Sequence, residues 1–94
     1  MSSPAFQRTD CFSVFSLADP STLPRVLEVF SLHGLVPNSC HSTRDDADQL
    51  VIDIQVAGLV AAQAEQLARR LGRVVTVTQV LWSEKRLAAT RAAA

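Results

Sequence analysis

Four residues carry thiol or imidazole donors, Cys11, His33, Cys40 and His41, and three carboxylates crowd together at Asp45, Asp46 and Asp48. These are the side chains whose types invite chemistry. A metal site needs donors that converge, commonly as C-x-x-C or H-x-x-x-H pairs, and neither spacing occurs. Cys40 and His41 are adjacent in a stretch that reads as strand, so they leave on opposite faces. The Asp run lies in a polar turn, whereas carboxylate catalysis needs a partly dry pocket. It reads as a solvated hairpin loop with Asp48 capping the turn. No catalytic residue, metal ligand or cofactor site is expected.

A second candidate is the segment D-P-S-T-L-P, residues 19–24. It precedes an amphipathic helix in which Leu23, Val26, Leu27 and Phe30 fall on one stripe, with Gly34 as a left-handed stop. If Asp19 were the cap, Pro24 would stand at the fifth helical position, where its ring clashes and a donor is lost, at about 3 kcal/mol. A cap at Ser21 or Thr22 puts Pro24 in the first turn, where its missing N–H is harmless. Two readings of the segment stay open. It is a self-capped helix start, or its free amides around Ser21 to Leu23 take a ligand carboxylate or phosphate.

The elements that must position these residues follow from periodicity. Cys11–Leu17 reads as a strand. After the first helix, with Val29 and Leu32 off its stripe and partly exposed, a second strand runs from about Leu35 to Thr43. Pro37 confines that strand to a sheet edge or demands a bulge. Leu50, Ile52, Ile54 and Val56 alternate with Val51, Asp53 and Gln55, which marks a strand with one wet face. Val60, Ala64, Leu67 and Leu71 define a second helix, closed by Arg69, Arg70 and Gly72. Val74–Trp82 is a final strand, and the following S-E-K-R-L-A-A-T-R-A-A-A has helical propensity without an apolar stripe. The expected organisation is a flexible N-terminus (1–9), one domain (10–82) and a flexible or helical tail (83–94). Two right-handed strand-helix-strand crossovers joined by a hairpin give a four-stranded antiparallel sheet with both helices on one face. The opposite face is left open.

Ninety-four residues make one domain, and 48% hydrophobic content with no formal net charge makes it globular. The balanced charge, without a basic run, argues against nucleic acid. The apolar runs are too short to span a bilayer, and M-S-S-P-A-F-Q-R-T-D lacks the pattern of a secretory signal, so the chain reads as cytoplasmic.

Taken together, C-F-S-V-F-S-L, D-P-S-T-L-P-R-V-L-E-V-F-S-L-H-G-L, L-V-I-D-I-Q-V and A-E-Q-L-A-R-R-L leading to V-V-T-V resemble an ACT domain, the ferredoxin-like α+β (βαββαβ) regulatory module of amino-acid metabolism. More narrowly, T-L-x-R-V-L-x-V-x-x-x-H-G-L resembles the short small subunit of acetolactate synthase. The resemblance implies no chemistry in this chain and a homodimer joined edge to edge through the second strands. It implies a large thiamine-dependent catalytic subunit as partner in branched-chain amino-acid biosynthesis. It also implies an amino-acid effector held between Asp19, Ser21, Thr22 and Leu23 of one chain and Val36 and Asn38 of the other. Ser21 stands where effector-binding members keep a glycine, and Val36 where valine-sensing members keep an asparagine, with Asn38 two residues on. Weak or absent valine sensing is therefore expected, with Pro37 at a non-bonding position or a bulge of the dimer edge. A free-standing ACT sensor of an amino acid or small metabolite is the alternative.

Overall fold

The structure, a computed structural model, describes residues 6–88. Its elements are β1 (Phe6–Leu17), α1 (Thr22–Leu32), β2 (Ser39–Arg44), β3 (Gln49–Ala57), α2 (Ala61–Leu71) and β4 (Val77–Ala88). The four strands form one antiparallel sheet in the order β2-β3-β1-β4. This is the βαββαβ ferredoxin-like arrangement expected from the sequence.

The core lies between the sheet and the two helices. Phe12 and Val14 of β1 and Ile52, Ile54 and Val56 of β3 alternate inward, where they meet Val26 and Phe30 of α1 and Ala64, Leu67 and Leu71 of α2. Phe12 and Phe30 pack edge to face, with ring centroids 5.8 Å apart, the geometry that the ring quadrupoles favour.

Helix α1 begins at Thr22 behind Ser21, the late start that Pro24 requires. Its buried row is Thr22, Val26 and Phe30, with Leu23 and Val29 packed on either side. The expected stripe is thus rotated: Leu27 is exposed and Val29 faces the core. The i, i+4 row centred on Val26 packs best, and Leu27 stands about 100° away from it. The helix ends in a Schellman motif. Gly34, at φ 70°, lets the Leu35 amide reach the Phe30 carbonyl (2.9 Å) and its own amide reach Ser31 (2.9 Å). At α2, Leu59 takes the buried place expected of Val60, which is exposed as the N-cap.

That Schellman turn also shortens the second strand. Residues 35–38 complete the reversal, so Pro37 precedes β2 and neither needs a bulge nor occupies the ladder. The sheet's irregularity lies instead between β1 and β4, where Phe15 pairs with Gln79 and Ser16 with Val77, leaving Thr78 extra.

The fourth strand starts later and runs further than expected, to Ala88. Residues 83–88 are strand because they pair with Phe6–Cys11, a stretch of β1 that the sequence assigned mostly to a flexible terminus. Beyond Thr9 no third strand among the described residues lies beside this pair, since β3 ends at Ala57. The rest of the expected termini, 1–5 and 89–94, lies outside the described residues.

At the root of this ribbon Asp10 is fully buried. Its carboxylate accepts from Arg8 Nε (2.8 Å) and Nη2 (3.0 Å) and from Trp82 Nε1 (2.8 Å). Burial pushes the Asp10 carboxyl up, but the hydrogen bonds from Arg8 and Trp82 and the charges of Arg8 and Arg86 outweigh it, leaving it below the ordinary carboxylate value.

Two predictions follow from these buried polar contacts. Because the folded value is depressed, Asp10 contributes stability that is full above about pH 4, its unfolded range, and is lost as pH falls through the folded value. Asp10→Asn is expected to cost on the order of 2 kcal/mol at pH 7. The gap from wild type in thermal unfolding should close on acidification. The emission of Trp82, the single tryptophan, should shift in the variant at neutral pH.

The second concerns Thr22, which is fully buried with its hydroxyl 2.5 Å from that of Thr76, tying the start of α1 to the turn before β4. Thr22→Val should destabilise by about 1 kcal/mol by stranding the Thr76 hydroxyl. Thr22→Val with Thr76→Val should recover much of it. Equal losses in single and double variants, measured by urea unfolding, would refute the tie.

Candidate functional site

The β1–α1 loop arises because β1 ends at Leu17, whose amide bonds the Thr76 carbonyl (3.1 Å), and the next amide, that of Ala18, bonds Asp48 (3.0 Å). The chain then turns over Asp19. One oxygen of this carboxylate accepts from the Ser21 amide (2.8 Å) and the Ser21 hydroxyl (2.7 Å). Those two bonds, aided by the Arg25 charge, hold the Asp19 carboxyl below its usual range. The Thr22 amide donates to the Asp19 carbonyl (3.0 Å), and Arg25 already bonds back to Ser21 (3.2 Å). Pro24 has no donor.

The helix start is therefore largely self-capped, by Asp19 and not by the Ser21 side chain. Of its first-turn amides, only that of Leu23 finds no acceptor among the described residues. Asp19, Ser21, Thr22 and Leu23 do gather at the β1–α1 junction, the last two in the first turn of α1. Thr22 points into the core, Leu23 is half-buried against it, and Asp19 is exposed.

Val36 and Asn38 are not brought to this loop within one chain. Asn38 lies at the far end of the sheet, its amide on the Gln55 carbonyl (2.7 Å) and its side-chain oxygen accepting from the Ala57 amide (2.8 Å). The loop lies at the Gln49 end of β3, since Leu17 pairs with Gln49. From Gln49 to Ala57 is about 27 Å of strand. Val36 is 87% exposed and touches neither end of the loop's hydrogen-bond system.

What does stand beside the loop is Arg44. Ala18, Asp19, Pro20, Arg44 and Leu50 line a shallow depression of about 230 Å³. Arg44 reaches Asp48 through Nη2 (2.6 Å) and Nε (3.2 Å), both to one carboxylate oxygen, and this pairing raises the guanidinium's already high pKa. Asp48 holds a left-handed backbone at φ 57° to close the hairpin, a conformation aspartate tolerates. The depression thus offers a guanidinium, a carboxylate and apolar lining. Sequence reasoning left Arg44 in a polar turn. The signal was its place one residue before that turn, which in a tight hairpin puts it on the last pair of the β2–β3 ladder, opposite Leu50.

The thiol and imidazole candidates are dispersed. Cys40 pairs with Ile54 and His41 with Asp53, on opposite faces of β2. His33 Nδ1 lies 2.8 Å from the Val29 carbonyl at the end of α1. Desolvation lifts the Cys40 thiol's pKa, contrary to what a reactive thiolate needs. Asp45 accepts from the amides of Ala47 and Gln49 (2.9 Å each) and shapes the hairpin. No helix among the described residues is long and apolar enough to cross a membrane.

Comparison with known proteins agrees with this geometry. The C-terminal domain of the MgtC protein from Mycobacterium tuberculosis superposes with a TM-score of 0.67 at 15% identity, over 94% of this chain and 97% of that one. The ACT domain from GTP pyrophosphokinase of Chlorobium tepidum gives 0.71 at 10% identity, over 82% and 99%. Its solution structure gives 0.69 at 11% identity, over 80% and 84%. No curated protein sequence matches significantly. At these identities the structures establish the fold, while the sequence model of the ACT-like domain matches residues 6–89. The chain therefore belongs to the ACT-like domain family.

Proposed function

We propose that this chain is a non-catalytic regulatory subunit that works as a homodimer joined through β2. Its partner is then the large thiamine-dependent catalytic subunit of acetolactate synthase. The observation that carries the dimer is the state of β2. All six of its residues are exposed, and its outer edge pairs with no strand among the described residues. A strand wet on both faces with a free edge is poorly stabilised alone and suited to pairing with its own copy.

Register supports the effector geometry. In an antiparallel two-fold pairing of β2 with β2, the Ser39 end of one copy meets the Arg44 end of the other. Val36 and Asn38 of the second copy then approach the depression beside Asp19, which the single chain leaves incomplete. Regulation follows from differential contact: an effector held across the two copies favours one dimer arrangement over another, and the catalytic partner reads that bias. Ser21 and Val36, in place of the glycine and asparagine of effector-binding members, fit weak valine sensing.

A second reading, a free-standing amino-acid sensor, is favoured by the depression itself. Arg44 suits a carboxylate, Asp19 an ammonium group, and Ala18, Pro20 and Leu50 a small apolar side chain.

Edge pairing is testable through one substitution. The Asp45 amide bonds Gln49, so by alternation the amides of Thr43 and His41 point into the sheet and that of Ser42 points out. Ser42→Pro should leave the fold intact and turn the dimer into a monomer by light scattering, whereas a monomeric wild type at all concentrations refutes the dimer. Separately, calorimetry against the branched-chain amino acids distinguishes the readings. Binding by the isolated chain that is lost in Arg44→Gln selects the sensor. Silence, with co-purification of a thiamine-dependent catalytic chain, selects the subunit.

A further inference from the structure

The chain is neutral overall, yet its arginines are unevenly matched. Arg8, Arg44, Arg69 and Arg86 have acidic partners within 4 Å. Arg25, Arg70 and Arg73 have none among the described residues. These three converge from α1, from the last turn of α2 and from the turn after it. They line one depression of about 280 Å³ with Glu28, Val29, Val74 and Val75. A second depression of about 340 Å³ continues from it, sharing Arg70 and Arg73 and adding Arg69.

Part of this crowding has a local reason, since cations suit the negative end of α2. Arg25 gains nothing from that end, and its charge acts only at longer range on Asp19. It stands at the beginning of α1, the positive end, where a cation is disfavoured. Val75 is 89% exposed in the same groove. Segments 1–5 and 89–94 contain no acidic side chain, so they bring no aspartate or glutamate to it.

We infer that this groove is a docking site for an acidic segment of a protein partner, an extended peptide whose carboxylates alternate with apolar residues. The charge complementarity sets the sign, and arginine's planar fork suits carboxylates. The shape favours an extended polyanion over a compact phosphate. The guanidiniums are strung along two adjoining depressions beside an apolar wall, and two of them sit at the carbonyl end of α2 rather than at a helix N-terminus. A peptide seated here lies on the helix layer and leaves the β2 edge free. The inference is independent of the effector, and it holds whether or not the partner is the one proposed above.

Selection of peptides from a random displayed library on the full-length wild-type chain is the test, with Arg70→Glu/Arg73→Glu and Glu28→Gln as exposed-surface variants. Sequences rich in Asp or Glu spaced by apolar residues should be enriched on wild type and lost on the double variant, which should keep its circular dichroism spectrum and melt only slightly lower, since acidic groups disfavour the end of α2. For a selected peptide, fluorescence polarisation should show about tenfold weaker binding in the double variant and about twofold tighter binding in Glu28→Gln. It should also show weakening between low and physiological salt. The inference is overturned if no acidic sequences are enriched or if the double variant selects the same ones. It is equally overturned if inorganic phosphate at constant ionic strength displaces the peptide, which would make this a small-anion site.

Discussion

The structure is governed by a shortage of cover. Each helix has eleven residues, about 16 Å of cylinder, while β1 and β4 have twelve, about 40 Å of strand. Two such helices can bury Phe12, Val14 and the β3 isoleucines. They cannot also cover β2, the far halves of β1 and β4, or the opposite face of the sheet. Where the helices end, hydrophobic burial gives way to polar closure. Asp10 lies one inward step from Phe12 on the same face, and in place of a helix it is roofed by Arg8 and Trp82. The polar network does at the ribbon what apolar packing does under the helices.

The same shortage explains why the loop after β1 is so thoroughly tied down. Its backbone lies at the rim of the core, where an unpaired amide would be costly. Asp19 serves the Ser21 amide and hydroxyl, and Thr22 bridges to Thr76. A ligand approaching this rim therefore meets a loop whose donors are mostly spent. It has the Leu23 amide and, if it displaces Asp48, the Arg44 guanidinium. That favours a ligand recognised by side-chain charge over one cradled by backbone.

How much of this was legible in the sequence depended on whether local pattern or distant pairing decided the matter. Ile52, Ile54 and Val56 alternate because β3 is covered on one face, and such alternation survives in sequence. Pro24 fixed the start of α1, and Gly34 fixed its end. The stripe of α1 was read with Leu27 inside because apolar character alone does not choose between adjacent rows of a helix. Packing onto the sheet chose Thr22, Val26 and Phe30, and Thr22 is polar. Glu84, Lys85 and Arg86 read as helix or coil because nothing local makes them strand; β1 supplies their hydrogen-bond partners from more than seventy residues away. Asp10 looked like the end of a polar terminus, and its burial depends on Trp82, equally distant. Arg44 escaped notice for the same reason, since its neighbourhood with Asp19 exists only once the sheet is assembled.

Symmetry assigns the two uncovered surfaces to different kinds of partner. A two-fold contact sets a surface patch against the same patch on its copy. Edge β2 satisfies this requirement: from Ser39 to Thr43 it carries no carboxylate or basic aliphatic side chain, and Arg44 at its end is already paired with Asp48. Backbone donors and acceptors along such an edge are self-complementary. The arginine groove fails the same requirement, because across a two-fold axis Arg25, Arg70 and Arg73 would face their own images, with only Glu28 to offset them. A chain of different, acidic composition suits it better than its own copy does, in line with the docking proposed above. On the proposed reading, such an ACT-like domain would hold its own copy by hydrogen bonds at one edge and a foreign chain by charge on the helix layer, and neither contact would compete with the other.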